Sequence, residues 1–230
     1  MKFAILADIH SNLSALTAVR LDMKSQRCDT AVCLGDVVGY GPNPKECVDL
    51  IREMQIPCVK GEHDEWCSGV RAPKDFNPNA AESVNWQIQQ LATEDRGWLR
   101  DRPFVQELAG FTMVHATLEN PERWGYVFDK QAAAASFAHQ QTPLCFFGHT
   151  HVPLAFRNQD ASVRGGTYTK FKVETGKKYF VNVGSVGQPR DGNPRAAYVI
   201  FDSCEQTIEM RRIAFERSSD DSGNMPHVPI

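Results

Sequence analysis

The feature that most constrains the fold of this chain is a series of short apolar segments, each followed directly by an acidic or imidazole side chain. KFAILAD ends at Asp8, with His10 two residues further on, and TAVCLGD ends at Asp36. Apolar segments of this length, separated by stretches with helical spacing, are typical of the buried parallel strands of a doubly wound sheet. Ligands bind beyond the carboxyl ends of the strands in such sheets, so these polar side chains are expected at one site.

The segments between the strands have the spacing of amphipathic helices. After the first strand, Leu13, Leu16 and Val19 fall on one helical face, and Asn12 is placed to cap that helix. Helical character returns in residues 77–101. The last third of the chain alternates apolar and polar residues, as in TYTKFKV and KYFVNVG, which favours antiparallel strands.

These patterns predict an α/β fold, a four-layer α-β-β-α sandwich of two mixed β-sheets flanked by helices, with a small helical cap. A length of 230 residues suits a single domain, which we place at residues 1–217. Segments 66–102 and 117–141 are predicted to form the cap. The polar, Pro-containing end at 218–230 is predicted to be a flexible tail.

Composition and charge argue against several classes of protein. No stretch approaches about 18 consecutive apolar residues, so no membrane span is expected. The net charge of −3 and the absence of a basic run make nucleic acid an unexpected partner. The seven cysteines are scattered, and several lie in apolar segments such as LCFFG, so we predict reduced core residues and a cytoplasmic protein.

The distribution of histidine is the strongest functional signal. Of the seven histidines, only His139 and His227 lie away from predicted strand ends. The others are His10, His63, His115, His149 and His151. Singly, each has an ordinary explanation: DxH is common in helix-capping turns, and a lone buried histidine is usual in a core. For the two imidazoles of the Gly-led turn GHTH, metal binding is as good an explanation as an ordinary structural role.

Taken together, the polar groups at the strand ends predict a metal site. Carboxylates and neutral imidazoles suit Mn, Fe, Zn, Co or Ni. The groups are too many for one tetrahedral ion and suit two metal ions that share a bridging carboxylate.

DxH, GD, GxH, VHA and GHTH, in this order from Asp8 to His151, resemble the motifs of the calcineurin-like metallophosphoesterase superfamily. LADIHSNLSAL, LGDVVGYGPNP and NVGSVGQPRDG resemble its small bacterial phosphodiesterase branch. The resemblance implies two divalent metal ions and a bridging hydroxide that attacks phosphorus, with Asp36 as the shared ligand and His63 as the acid that protonates the leaving oxygen. The metal ligands that it implies are Asp8, His10, Asp36, Glu62, His115, His149 and His151.

Three positions depart from the motifs of this superfamily. GDVVGYG stands where the protein phosphatases have GDYVDRG, so Gly39 and Tyr40 replace an Asp that orients the catalytic histidine and an Arg that binds phosphate. Arg190, in the glycine-rich GSVGQPRDG, is a candidate for the missing phosphate contact, with an exposed surface turn as the alternative. Glu62 occupies a position that is usually Asn, and its charge suits tighter metal binding or an Fe³⁺ ion at one site.

Several other side chains near these loops have two interpretations. Asn12 is a candidate substrate-binding residue, although capping the first helix is the simpler role. Trp66, Trp124 and Tyr126 follow the predicted site loops. Packing in the core or cap is the expected role of these three rings, and stacking on a nucleobase is the alternative.

The predicted function is that of a binuclear metal-dependent phosphodiesterase or phosphatase acting on a small phosphorylated molecule, with a nucleotide as one candidate. The alternative is a catalytically weakened metal-binding scaffold that binds protein partners, as the retromer scaffold subunit of the same superfamily does; the presence of His63 opposes it. A nuclease is a third hypothesis, which the net charge of −3 opposes.

Overall fold

The computed structural model describes residues 1–70, 78–159 and 162–216. These residues form two β-sheets with helices on both outer sides. The strands are β1 (Lys2–Leu6), β2 (Thr30–Cys33), β3 (Val105–Leu108), β4 (Phe111–Val114), β5 (Leu144–Phe147), β6 (Ala155–Gln159), β7 (Ser162–Gly166), β8 (Lys170–Lys172), β9 (Lys178–Asn182), β10 (Ala196–Asp202) and β11 (Thr207–Ile213). The α-helices are α1 (Leu13–Ser25), α2 (Pro44–Glu53), α3 (Glu62–Cys67), α4 (Pro78–Gln90), α5 (Thr93–Arg100) and α6 (Lys130–His139).

Both sheets mix parallel and antiparallel pairs. The first sheet has the strand order β2-β1-β10-β11-β8, and the second has the order β3-β4-β5-β9-β6-β7. In the first, β1 runs parallel to β2 and antiparallel to β10. In the second, β5 runs parallel to β4 and β9, and β6 is antiparallel to β9. The prediction of two mixed sheets is confirmed.

Alternating side chains of the strands separate the layers. In β1, Phe3 and Ile5 pack between the sheets against Phe111 and Phe146 of the second sheet, while Leu6 joins the helices α1 and α2 on the other face. Successive residues of a strand point to opposite faces, which produces this division. The order helices, sheet, sheet, helix is therefore the predicted four-layer sandwich.

Helix α1 illustrates how the local sequence sets these elements. Leu16 and Val19 are buried on one face of the helix, against the first sheet. The Asn12 side-chain oxygen accepts a hydrogen bond from the backbone N–H of Ala15 at 3.0 Å, as an N-cap does. The predicted helix and its cap are both present.

The predicted cap segments contain α3, α4, α5 and α6. Helices α4 and α5 contact α3, whereas α6 packs on the outer face of the second sheet through Ala133 and Phe137. The cap and the limits of the single domain remain predictions, and the predicted tail at 218–230 lies outside the described residues. Within the described ranges, no helix has the length and apolar character needed to cross a membrane.

Candidate metal centre

Loops at the carboxyl ends of four strands carry the candidate ligands. The loops after β1 and β2, in the first sheet, carry Asp8, His10 and Asp36. Those after β4 and β5, in the second sheet, carry His115, His149 and His151. Each of these six residues is at most 4% exposed. The site therefore joins the two sheets and is built from buried side chains.

Ligand atoms that all lie within 4.8 Å of one another form three groups among the described residues. The first comprises Asp8, His10 and His151; the second comprises His10, Asp36 and His63; the third comprises Asp36, His115 and His149. Glu62 belongs to none of the three, and its role as a ligand remains a prediction. Asp36 belongs to two groups, so its carboxylate lies where one ligand could serve two ions.

The imidazoles of His10 and His151 face each other in an arrangement that calls for a cation. Their Nδ1 atoms lie 3.2 Å and 2.6 Å from the carbonyl oxygens of Val38 and Gln188. A carbonyl oxygen only accepts, so each neutral ring carries its proton on Nδ1. Both Nε2 lone pairs then point at each other across 3.0 Å. Two lone pairs at this distance repel unless an electrophile lies beside both.

The other two candidate imidazoles are oriented in the same way, by backbone carbonyls. His115 donates from Nδ1 to the oxygen of Leu34 at 2.8 Å, which leaves Nε2 directed at the Asp36 carboxylate, 3.3 Å away. His149 donates from Nε2 to the oxygen of Trp124 at 2.9 Å, so Nδ1 is its ligand atom. Metal-binding histidines commonly donate their second N–H to a carbonyl, which fixes the tautomer and the ring.

The electrostatics of the site also fit a cation. Burial, with the neighbouring Asp36, raises the pKa of Asp8 to about 8, and burial lowers the pKa of His149 to about 3. Burial alone would lower the pKa of His115, but the Asp36 carboxylate raises it to about 10. Burial holds the pKa of His10 well below its usual range. Without a metal ion, these pKa values leave Asp8 protonated and His115 charged beside Asp36, so protons take the place that a cation would occupy.

His63 lies beside these groups, at the start of α3. Its backbone N–H donates to Asp36 Oδ1 at 2.8 Å, and its ring centroid lies 4.5 Å from that of Tyr40 and 5.5 Å from that of Trp66. The ring also covers Gly39, where an added Cβ would overlap the imidazole. Aromatic rings therefore pack around His63, and burial lowers the pKa of its ring.

Asn12, Glu62 and Arg190 have different surroundings. Asn12 caps α1 with its oxygen and donates from Nδ2 to the oxygen of Gly187 at 2.9 Å, so both polar atoms bind backbone. Glu62 is partly exposed in the first turn of α3. Arg190 is exposed, with its guanidinium carbon 5.8 Å from the centre of the Tyr40 ring. Substrate binding by Asn12 and Arg190 remains a prediction.

Gln87 of α4 is a residue that the sequence pattern did not single out. Its Oε1 accepts from Ser11 Oγ at 2.8 Å and from the Gly39 N–H at 3.1 Å, and its Nε2 donates to the oxygen of Gly41 at 2.7 Å. The side chain is fully buried and joins the loops that carry His10 and Tyr40. A glutamine in a polar helical segment carries no sequence signal of such a role.

Asp64 is a second positioning residue, and here a signal exists. Its Oδ1 accepts from the Val37 N–H at 2.9 Å, and its Oδ2 accepts from the Gly61 N–H at 3.0 Å. An acidic residue three positions after the N-cap, as Asp64 is after Gly61, is typical of a capping box. The same carboxylate therefore starts α3 and fixes the loop after Asp36.

The backbone of the site is unusual in its dihedral angles. Asp8, His10, Asp36, His149 and His151 all have positive φ values, between 48° and 66°. Residues with a Cβ rarely adopt this left-handed conformation, which costs about 1 kcal/mol or more per residue. Such strain concentrates where side chains must be aimed at a ligand.

Known proteins share the sequence pattern and the fold of this chain. The family model of the calcineurin-like phosphoesterase superfamily domain matches residues 1–206. An uncharacterised protein of Methanocaldococcus jannaschii is 37% identical over 217 residues, which cover 93% of this chain and 87% of that protein.

Two solved structures extend the comparison to three dimensions. The crystal structure of a metallophosphoesterase from Sphaerobacter thermophilus is 38% identical, with a TM-score of 0.82 over 94% of this chain and 89% of that one. A hypothetical protein from Pyrococcus horikoshii, only 17% identical, shares the fold with a TM-score of 0.78 and the same two coverages, 94% and 89%. The chain belongs to the calcineurin-like phosphoesterase superfamily.

Proposed function

We propose that the protein is a binuclear metal-dependent phosphoesterase that hydrolyses a small phosphodiester or phosphomonoester. The observation that carries the proposal is the pair of Nε2 atoms of His10 and His151, which face each other at 3.0 Å although both Nδ1 atoms are held by carbonyls. That arrangement is stable only with a positive centre beside it. The membership of Asp36 in two ligand groups supports a second ion.

The ligand assignment follows the groups of neighbouring atoms. Asp8, His10 and His151 would hold one ion, and Asp36, His115 and His149 would hold the other. Asp36 also groups with His10, and we propose that it binds both ions. When bound, two metal ions lower the pKa of a water molecule and offset negative charge on phosphoryl oxygens. Mn, Fe, Zn, Co and Ni all suit this set of nitrogen and oxygen ligands. Glu62 is proposed as a further ligand of the second ion.

Three residues at the mouth of the site are proposed to handle the substrate. His63 would donate a proton to the leaving oxygen: burial lowers its pKa, and an arriving phosphate, being negative, would raise the pKa towards the protonated form. Arg190 would contact the phosphate through its guanidinium group. The Tyr40 ring lies beside that group, and its hydroxyl group would contact the phosphate as well. We place this activity in the cytoplasm because all seven cysteines are free thiols.

The test is the hydrolysis of bis(p-nitrophenyl) phosphate and p-nitrophenyl phosphate with each of the five metals. We expect turnover of these esters with at least one metal. Because p-nitrophenolate leaves without needing a proton, the acid role of His63 is measured on glycerol 2-phosphate, where His63→Ala should lower kcat about 100-fold or more. Asp36→Asn should lower both the metal content and the rate. The control is His139→Ala, which changes an exposed histidine of α6.

Two outcomes would contradict the proposal: no turnover with any metal, or a His63→Ala variant as active as the wild type on glycerol 2-phosphate. Metal bound by the purified protein without turnover would favour the alternative of a metal-binding scaffold. Comparing the two p-nitrophenyl esters also decides between a preference for diesters and one for monoesters.

A further inference from the structure

Two aromatic side chains, Tyr126 and Phe128, form an exposed pair that we call the aromatic platform. They are 54% and 55% exposed, whereas every other Phe, Tyr and Trp in the described ranges is buried or partly buried. Their rings are parallel within 5°, with centroids 5.8 Å apart. Large exposed aromatic surfaces are unfavourable in water and mark places where a ligand binds.

The platform is held in place by its neighbours in the chain. Between the two rings, Val127 is fully buried in the cluster that contains Val114 and Phe137. On one side, the Trp124 carbonyl accepts the hydrogen bond of His149. On the other, Asp129 caps α6. The rings are therefore fixed before any ligand arrives, which reduces the entropy lost on binding.

The platform is continuous with the candidate metal centre. The ring centroid of Tyr126 lies 4.3 Å from that of His149, which belongs to the group with Asp36 and His115. His149, Tyr126 and Phe128 thus make a row of three rings that runs from the buried site to the surface.

We infer that the aromatic platform binds the nucleobase of a nucleoside phosphoester whose phosphate occupies the candidate metal centre. The inference rests on the proposed function and names its substrate class. A flat base can extend the row of rings by stacking, because every base has a π-face. Stacking tolerates any base, so the platform alone selects for a base and not for one particular base.

The test measures binding directly and so does not depend on turnover. The ligands are the non-hydrolysable phosphonate analogues of adenosine 5′-monophosphate and ribose 5-phosphate, which differ only in the base. Affinities are measured by equilibrium dialysis with Mn²⁺ present. From the usual strength of base–aromatic stacking, we expect the wild type to bind the adenosine analogue about 5- to 100-fold more tightly.

Variants of the platform isolate the contribution of the rings. Tyr126→Leu and Phe128→Leu keep apolar side chains but remove the flat faces, and should lower the ratio of the two affinities towards one. Tyr126→Phe keeps the ring and should keep the ratio. Leu21→Ala, at an exposed residue of α1, is the control and should also keep it.

Equal affinities in the wild type, or an unchanged ratio in both leucine variants, would overturn the inference. The proposed function fails separately, through the absence of turnover of the p-nitrophenyl esters. A preference for the adenosine analogue without turnover would support base binding by the platform and contradict the proposed hydrolase. Turnover with equal affinities would support the hydrolase and contradict base binding by the platform.

Discussion

At the scale of single residues, Gly39 determines where the candidate acid can lie. Its φ of +100° and the overlap of an added Cβ with the His63 ring both favour glycine. In this chain, the absence of a side chain at residue 39 makes room for the imidazole, which Tyr40 and Trp66 then hold from its other sides. Gly39 and the rings of Tyr40 and Trp66 therefore together determine the position of the His63 imidazole.

Gly39→Ala is expected to displace His63 and lower kcat by about 100-fold, because small displacements of a catalytic group have large effects on rate. Gly110→Ala is a matched control: its φ is +86°, but nothing lies within 4 Å of the added Cβ. Both variants should lose about 1–3 kcal/mol of unfolding free energy through backbone strain. Steady-state kinetics with glycerol 2-phosphate and urea denaturation check this, and a Gly39→Ala enzyme with the wild-type kcat would contradict it.

The sequence could predict which residues meet at the site, but not how their side chains are protonated. Asp8 and Asp36 follow neighbouring parallel strands, so their proximity follows from the topology. The tautomers of His10 and His149 depend on carbonyls of Val38 and Trp124, which reach the rings through the packing of separate loops. Such distant contacts leave no pattern in a single sequence.

At the scale of elements, α4 supports the site loops through Gln87. Gln87→Ala would leave the Ser11 hydroxyl and the Gly39 N–H buried without an acceptor. We expect a loss of about 2 kcal/mol or more of unfolding free energy, because each unsatisfied buried donor costs about 1–3 kcal/mol. Amide hydrogen exchange at Gly39 should also become faster.

The control for Gln87 is Gln89→Ala, which removes an exposed glutamine of the same helix. Chemical denaturation of both variants separates the loss of the buried contacts from the change in helix propensity that Gln→Ala brings in either position. Equal stability of the two variants would contradict a clamping role for α4.

Helix α1 is attached to the first sheet by a charged contact. Asp22 accepts from Arg211 of β11 at 3.0 Å and 3.1 Å, and from the Tyr198 hydroxyl of β10 at 2.6 Å. Burial alone would raise the pKa of Asp22, but the hydrogen bond from Arg211 lowers it below its ordinary value of 3.8. The ionised form is therefore favoured in the folded state.

Asp22→Asn should lower the unfolding free energy by about 1.5–3 kcal/mol at neutral pH, because hydrogen bonds to a charged group are lost. A pKa lowered by folding stabilises above the ordinary pKa, and this stabilisation disappears as the pH falls through the folded-state pKa. The difference between wild type and variant should therefore shrink below about pH 4. Urea denaturation at several pH values measures it.

Asp49→Asn is the control for this prediction. Asp49 forms an exposed pair with Lys45 of the same helix, with half of the Asp49 side chain exposed. Exposed pairs of this kind contribute about 0.5 kcal/mol or less. A pH-independent difference between wild type and Asp22→Asn would contradict the charged contact.

Elements differ in how far the sequence could anticipate them. Helix α1, with its regular apolar face and Asn12 cap, was predictable because its signals are local. The position of α6 was not: its alanine-rich sequence has little polarity difference between faces, and Phe137 packs on Phe180 of the distant strand β9. Long-range packing decided the layer to which that helix belongs.

At the scale of the whole molecule, the candidate ligands come from both sheets. The first sheet supplies Asp8, His10 and Asp36, and the second supplies the remaining imidazoles. Outside the site, the two sheets are held together by an apolar interior that includes the contacting rings of Phe3, Phe111 and Phe201. A bound metal would therefore link the halves of the sandwich at one end.

Metal should consequently raise the melting temperature. At a Mn²⁺ concentration 100 times its Kd, the stabilisation is about 2.7 kcal/mol. A chelator should reverse the shift, and Asp36→Asn should reduce it because two ligand groups lose their shared carboxylate. Thermal unfolding with and without Mn²⁺ measures the effect, with His139→Ala as the control; a melting temperature indifferent to every tested metal would contradict it.

The left-handed backbone of the site has a consequence for how this protein can be engineered. Five candidate ligands hold a conformation that glycine adopts without penalty. Selection of a mutant library only for resistance to heat or protease would therefore favour variants in which glycine replaces these histidines and aspartates. Such thermostable variants would keep the fold but lose candidate metal ligands. Directed evolution of this protein therefore needs selection for metal binding at every round.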